Sequence, residues 1–220
     1  MRASHILLWS GGFDSTAILL DMVAKPAQYP TVRVVSCELK NAANHAEDAK
    51  ARKAIIEILK LDKNLRFELI ESTDFNIVAQ GGGQAPIWAL LTAMNVSSRD
   101  ASTVELCYGY IRGDDFWHFR PEFESAARSI AKIAAPEINV KFTYPLEWLT
   151  KKEFTSWYMN YPDVFDHLSW GGDTVAAKLK EKDELEFLFR ELRAATQHMT
   201  TAEPPDDPFE GKGIYVPSQT

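Results

Sequence analysis

Short apolar runs alternate with helical patterns along the first two thirds of the chain. His5–Trp9 is apolar after its first residue and stops at Ser10-Gly11-Gly12, which predicts a short buried strand. Asp14–Val23 follows, with Ala17, Ile18, Leu20 and Met22 around most of its circumference. Such near-complete apolarity suits a helix packed on a parallel sheet. Lys25–Pro30 breaks it, and Thr31–Leu39 holds a second strand at Val32–Val35. A helix is predicted from about His45 to Lys60, with Ala54, Ile55, Ile58 and Leu59 on one face, and Arg66–Ile70 alternates as a third strand.

Residues 71–85 read as irregular and contain Gly81-Gly82-Gly83, a run that suits a mobile or ligand-hugging loop. Pro86–Met94 reads as a helix with proline in its first turn. Val104–Tyr108 is a fourth strand ending at Gly109, Pro121–Ala134 a helix, Val140–Tyr144 a fifth strand, and Thr150–Tyr158 begins another helix. Asn160–Gly172 has no clear period, and Thr174–Met199 is strongly helical, with Leu179, Leu185, Leu188, Phe189 and Leu192 as its apolar positions. The β-α-β-α-β order predicts an α/β fold: a parallel five-stranded sheet with helices on both faces, Rossmann-like, plus a small C-terminal helical lobe. The expected divisions are an α/β domain over 1–158, a helical lobe over 159–199 and an extended or disordered tail over 200–220.

Composition narrows the partners. The 220 residues are 45% hydrophobic, enough for one sizeable core. A net charge of −7, with lysine and arginine scattered, offers no global attraction for nucleic acid, which is not expected as a partner. Two cysteines, Cys37 and Cys107, build neither a four-thiolate zinc site nor a secreted disulfide framework. The N-terminal apolar run is too short for a signal or membrane segment, so a soluble cytoplasmic protein with no membrane partner is expected.

Candidate chemistry centres on Ser10-Gly11-Gly12-Phe13-Asp14-Ser15-Thr16. A strand, a glycine turn and a hydroxyl-bearing helix start make a phosphate cradle, because backbone N–H groups and the positive helix end face the anion. The spacing is neither a Walker A loop nor a dinucleotide fingerprint. Asp14 cannot attract phosphate as a bare carboxylate and is expected to hold Mg²⁺, directly or through water.

Ser-Gly-Gly-x-Asp-Ser after the first strand resembles the pyrophosphate loop of the PP-loop ATP pyrophosphatase superfamily, whose fold is adenine nucleotide alpha-hydrolase-like. Phe142–Glu153, with Thr143-Tyr144-Pro145-Leu146 and Lys151-Lys152-Glu153, is similar to a Thr-Pro-Leu…Lys-x-Glu segment of one branch, the 7-cyano-7-deazaguanine (preQ0) synthases of queuosine biosynthesis. Arg120-Pro121-Glu122-Phe123 resembles their Arg-x-Glu-Phe. The similarity covers about residues 4–170. Three departures stand out. Asp166-His167-Leu168-Ser169-Trp170 occupies the start of the family's zinc-binding region, and no cysteine follows Cys107, so zinc is not expected. Gly-Gly-Gln-Ala-Pro replaces the family's Pro-Gly-Arg-Asn. Leu39-Lys40-Asn41-Ala42, with His45 and Asp48 as a remnant, replaces its Tyr-Gly-Gln-Arg-His.

The resemblance implies AMP-forming activation of a small carboxylate, 7-deazapurine-like, with ammonia as the incoming nucleophile and ATP and Mg²⁺ as requirements. It implies that Ser10, Gly11, Gly12, Ser15 and Thr16 hold the leaving pyrophosphate, and that Lys151 and Arg120 offset charge on the phosphates. From the residues alone, Lys151 has a second reading as a solvated helix-start lysine, and Arg120 one as a surface ion pair. Asp114 and Asp115 read as a second metal contact or a polar turn, and Phe116, Trp117 and Phe119 as a base-stacking surface or as packing. His45, His118 and His167 are dispersed and do not form a zinc site. The late Leu-rich helix reads as core or as a homodimer interface. A PP-loop tRNA-modifying enzyme and a nucleotide-binding partner subunit without catalysis remain as alternative functions.

Overall fold

A computed structural model describes residues 1–39, 45–75, 85–170 and 175–201. The Gly81–Gly83 run, the Lys40–Ala42 replacement and the tail beyond Thr201 lie outside the described residues.

All five strands form one parallel sheet in the order β3-β2-β1-β4-β5. They are β1 (His5–Leu8), β2 (Val32–Leu39), β3 (Phe67–Phe75), β4 (Thr103–Cys107) and β5 (Asn139–Thr143). The α/β, Rossmann-like expectation is met. β3 runs on past Ile70, so Glu71–Phe75, read as irregular, is strand. This strand lies at the sheet edge, where polar side chains are tolerated.

Successive β1 residues feed opposite cores, as the two-residue period of a strand requires. Leu7 packs on one face with α1 (Phe13–Ala24), α2 (His45–Leu59) and the C-terminal helices. Ile6 and Leu8 pack on the other with α3 (Ala85–Met94) and α4 (Arg120–Ala134). Phe13 and Ser15–Leu20 are all buried, which is why α1 reads as apolar all round.

After β5 the chain forms α5 (Lys151–Thr155), a 3-10 turn over Ser156–Asn160, α6 (Pro162–Phe165) and α7 (Val175–Thr201). The single helix predicted over Thr150–Tyr158 is therefore a one-turn helix running into a 3-10 turn. The Thr150/Glu153 capping box starts it. The Thr155 hydroxyl bonds back to the Lys151 carbonyl, a bond that competes with helix continuation. Leu185 and Phe189 of α7 are buried in the same core as Leu7 and Phe13, and Phe189 stacks on Phe165 at 4.1 Å between ring centroids. Burying each such side chain is worth about 1.5–3 kcal/mol, which fastens α7 to the sheet layer. The C-terminal segment thus shares a core with the sheet, and its Leu185 and Phe189 face that core.

A charged side chain, Arg33, is buried within the sheet. Arg33 of β2 is paired with Asp100 at 2.7 Å and with its cross-strand neighbour Glu68 at 2.7 Å. Asp100 also accepts from the Ala3 and Ser97 N–H groups, so this cluster ties the loop before β4 to the N-terminus. No helix among the described residues is long and apolar enough to cross a membrane.

Candidate functional site

Strand order reverses direction between β1 and β4, and in open parallel sheets ligands bind beyond the carboxyl ends of the strands at such a point. A cavity of about 390 Å³ opens there. Its floor comes from Ser10, Gly12, Asp14 and Ser15, following β1, and from Gly109 and Tyr110, following β4.

The β1–α1 loop is held from several sides. Gly11 has φ +93°, a conformation that favours glycine, and a Cβ on it would stand 2.9 Å from Arg52 Cγ and 3.1 Å from the Asp48 carbonyl. Arg52, itself buried, donates to the Ser10 carbonyl at 2.9 Å and pairs with Glu71 at 2.8 Å. On the opposite side the Ser169 N–H bonds to the Gly11 carbonyl at 3.1 Å. The Ser10 and Ser15 hydroxyls lie 3.0 Å apart, and the Gly12 N–H donates to Ser10 Oγ at 3.2 Å. No side chain caps α1. Its first N–H groups have no acceptor inside the helix, so its positive end faces the cavity.

Asp14 sits in the first turn of α1 with Oδ1 buried and without a hydrogen-bond partner among the described residues. Lys151, at the start of α5, places Nζ 3.6 Å from Asp14 Oδ2 and in contact with Glu181 of α7. Burial pushes the Asp14 carboxyl up to about 6; Lys151 opposes the shift, while Glu181 and Asp114 add to it. Burial would lower the Lys151 pKa, but Asp14, Glu181 and Asp114 outweigh it and hold the ammonium above its ordinary value. Lys151 is thus a charged ammonium facing three carboxylates.

The predicted residues therefore separate. Ser10, Gly12, Asp14, Ser15 and Lys151 converge on one cavity. Gly11 shapes the loop from behind it. Thr16 points into the core, where its hydroxyl accepts the Trp9 indole N–H at 3.0 Å, so its side chain cannot also grip a ligand in the cavity. Arg120 does not line the cavity. It is bound to Glu124 at 2.7 Å, reaches Glu147 at 3.5 Å and lies over the Trp117 and Tyr144 rings, as the ion-pair alternative describes. Phe116 is buried and stacks on Tyr110 at 3.8 Å, which is packing. Asp114 accepts the Ile111 N–H at 2.9 Å, as a turn residue does, and it also lines the cavity. His118 and His167 are exposed.

Several site residues were not singled out as such in the sequence. Gly109 is one: a Cβ there would sit 3.1 Å from the Ser15 nitrogen. A glycine directly after a strand at the switch point was the available signal. Trp88, Ser169 and Glu181 reach the cavity from α3, the loop after α6, and α7, and no local pattern marks them. Trp170 stacks on Phe13 at 5.7 Å and also lines the cavity.

A Mg²⁺ ion commonly takes one or two protein carboxylates and completes its shell with phosphate and water oxygens. The orphaned Asp14 Oδ1, with Asp114 also lining the cavity, fits that donor set. No protein-family model matches the chain, and no curated protein is significantly similar to it in sequence.

Proposed function

We propose that this chain is a PP-loop-type ATP pyrophosphatase that activates a small carboxylate and passes it to ammonia, most like a preQ0 synthase acting on 7-carboxy-7-deazaguanine. The observation that carries the reading is the convergence, at the sheet's switch point, of an uncapped helix start, paired serine hydroxyls, an orphaned aspartate oxygen and a charged lysine. These groups suit a polyphosphate and its counter-ion. Trp88, Tyr110 and Trp170 on the walls suit a planar heterocycle beside it.

In this reading the substrate carboxylate attacks the α-phosphorus of ATP. Pyrophosphate leaves, and ammonia displaces AMP from the acyl-adenylate to give the amide. A second ATP adenylates the amide oxygen with release of a second pyrophosphate, and loss of AMP together with the protons of the amide nitrogen gives the nitrile. The protein's part is positioning and charge neutralisation. Ser10, Ser15 and the α1 N–H groups hold the departing pyrophosphate, and Lys151 offsets charge that builds on it. Asp14, with Asp114, would hold Mg²⁺, which supplies charge neutralisation across the phosphates. Buried Cys37 and Cys107, whose thiols burial pushes up to about 11 and about 12, stay protonated and unreactive.

The test is incubation with ATP, Mg²⁺, ammonium and 7-carboxy-7-deazaguanine. AMP, pyrophosphate and an amide or nitrile product by mass spectrometry are expected. ATP binding without AMP would leave the non-catalytic subunit reading, and absence of both would remove the assignment.

A further inference from the structure

Lys151 is the one cation among the described cavity-lining residues, yet its ammonium is already engaged. Glu181 meets it directly, and Asp14 Oδ2 stands 3.6 Å away. Asp114 adds a third carboxylate to the same walls. Among the described residues, an anion entering this space meets more negative than positive charge until Lys151 turns toward it.

Glu181 reaches this position through helical spacing. Glu181, Leu185 and Phe189 lie at successive i, i+4 steps, so they share one face of α7. Leu185 and Phe189 are buried, and Phe189 stacks on Phe165, which meets the cavity residue Trp170 edge-on at 5.9 Å. The two apolar anchors fix the helix while the carboxylate one turn earlier extends over the cavity. The Lys151 and Glu181 side chains are each about one third exposed, 35% and 36%. Water reaches both partners, and a pair so exposed is held weakly enough to exchange.

We propose that Glu181 is a gating and positioning residue: its carboxylate holds Lys151 until a polyphosphate displaces it, and binding transfers the ammonium from Glu181 to the ligand by a side-chain swing. This rests on the anion-binding reading of the cavity. The gate sets ligand affinity and favours dense anions, which can outbid a carboxylate for the ammonium, over singly charged ones.

Mg²⁺-pyrophosphate is the probe, titrated calorimetrically into the full chain. Glu181→Gln is expected to bind it roughly tenfold more tightly than wild type. Glu181→Asp keeps the charge but shortens the reach, and an intermediate gain is expected. Glu184→Gln removes the same charge from an exposed position on α7 and is expected to leave affinity unchanged. Thermal melts of each variant confirm folding. A purely structural Glu181 would lower the melting temperature without raising affinity, and that result overturns the gate. Equal gains in Glu181→Gln and Glu184→Gln also overturn it, by assigning the effect to net charge. If neither wild type nor any variant binds pyrophosphate, the anion reading falls and takes the gate with it; if wild type binds and Glu181→Gln binds no better, the gate alone falls.

Discussion

Gly109 lies against the first turn of α1, where a Cβ would stand 3.1 Å from the Ser15 nitrogen and 3.3 Å from Ser15 Cα. Both neighbours are backbone, so neither can rotate away. The carboxyl end of β4 and the start of α1 pack so closely here that a side chain would press them a few tenths of an ångström apart. We expect Gly109→Ala to cost about 1–3 kcal/mol, the usual scale of overpacking. Relief requires α1 to draw back from Tyr110, so affinity for Mg²⁺-pyrophosphate should fall as well. Urea denaturation and calorimetric titration measure the two effects, and an alanine variant with native affinity would refute the second.

Gly11 and Gly113 both have positive φ, +93° and +108°, but only Gly11 is enclosed. A Cβ at Gly11 meets Arg52 Cγ and the Asp48 carbonyl, whereas one at Gly113 meets nothing within 4 Å. Gly113→Ala should therefore cost only the backbone term, about 1 kcal/mol. Gly11→Ala should cost about 2–4 kcal/mol, because it also displaces the arginine that holds the Ser10 carbonyl. Denaturation midpoints of the two variants settle the comparison; equal losses would mean that Arg52 moves aside freely.

The fold was legible because each of three buried strands is a short, largely apolar run bounded by a turn signal: Leu7-Leu8 by Gly11-Gly12, Val32–Val35 by Pro30 before it, Val104–Cys107 by Gly109 after it. Parallel strands covered on both faces leave this mark whatever their neighbours. The loop at β1 was legible for the same reason, since strand, glycines and helix start are contiguous. The opposite wall was not. Trp88, Ser169 and Glu181 are assembled by the sheet order and by α7 docking through Leu185 and Phe189, and nothing adjacent in sequence announces it. Arg120 shows the converse: a motif-like segment whose side chain is committed to Glu124 and to aromatic faces away from the cavity.

Thr16 and Ser15 are neighbours with opposite duties. The Thr16 hydroxyl accepts the buried Trp9 indole N–H, while Ser15 Oγ faces Ser10 at the cavity floor. Thr16→Val leaves that N–H unsatisfied and should cost about 1–3 kcal/mol with pyrophosphate affinity intact. Ser15→Ala should reverse the pattern, with a smaller stability loss and weaker binding. Measuring stability and affinity on both variants tests the division, and a Thr16→Val variant that loses binding at native stability would assign that hydroxyl to the ligand.

Asp14 makes the free protein's stability depend on pH. Its carboxyl stands at about 6 against 3.8 for an unperturbed aspartate, chiefly through burial, with Lys151 opposing and Glu181 and Asp114 adding. The folded state therefore holds more protons than the unfolded state between these two values. Stability from this group is fully present below about 3.8 and is lost as pH rises through about 6. Relative to Asp14→Asn, wild type should lose about 1–2 kcal/mol across that window, a figure reduced for the water in the open cavity. Lys151→Met removes the one opposing cation, so the Asp14 midpoint should climb above its present value, and Glu181→Gln should bring it down. Carboxyl-carbon NMR titration reads the midpoint directly. A midpoint that fails to rise in Lys151→Met would mean that the ammonium is spent on Glu181 alone and does not support the aspartate.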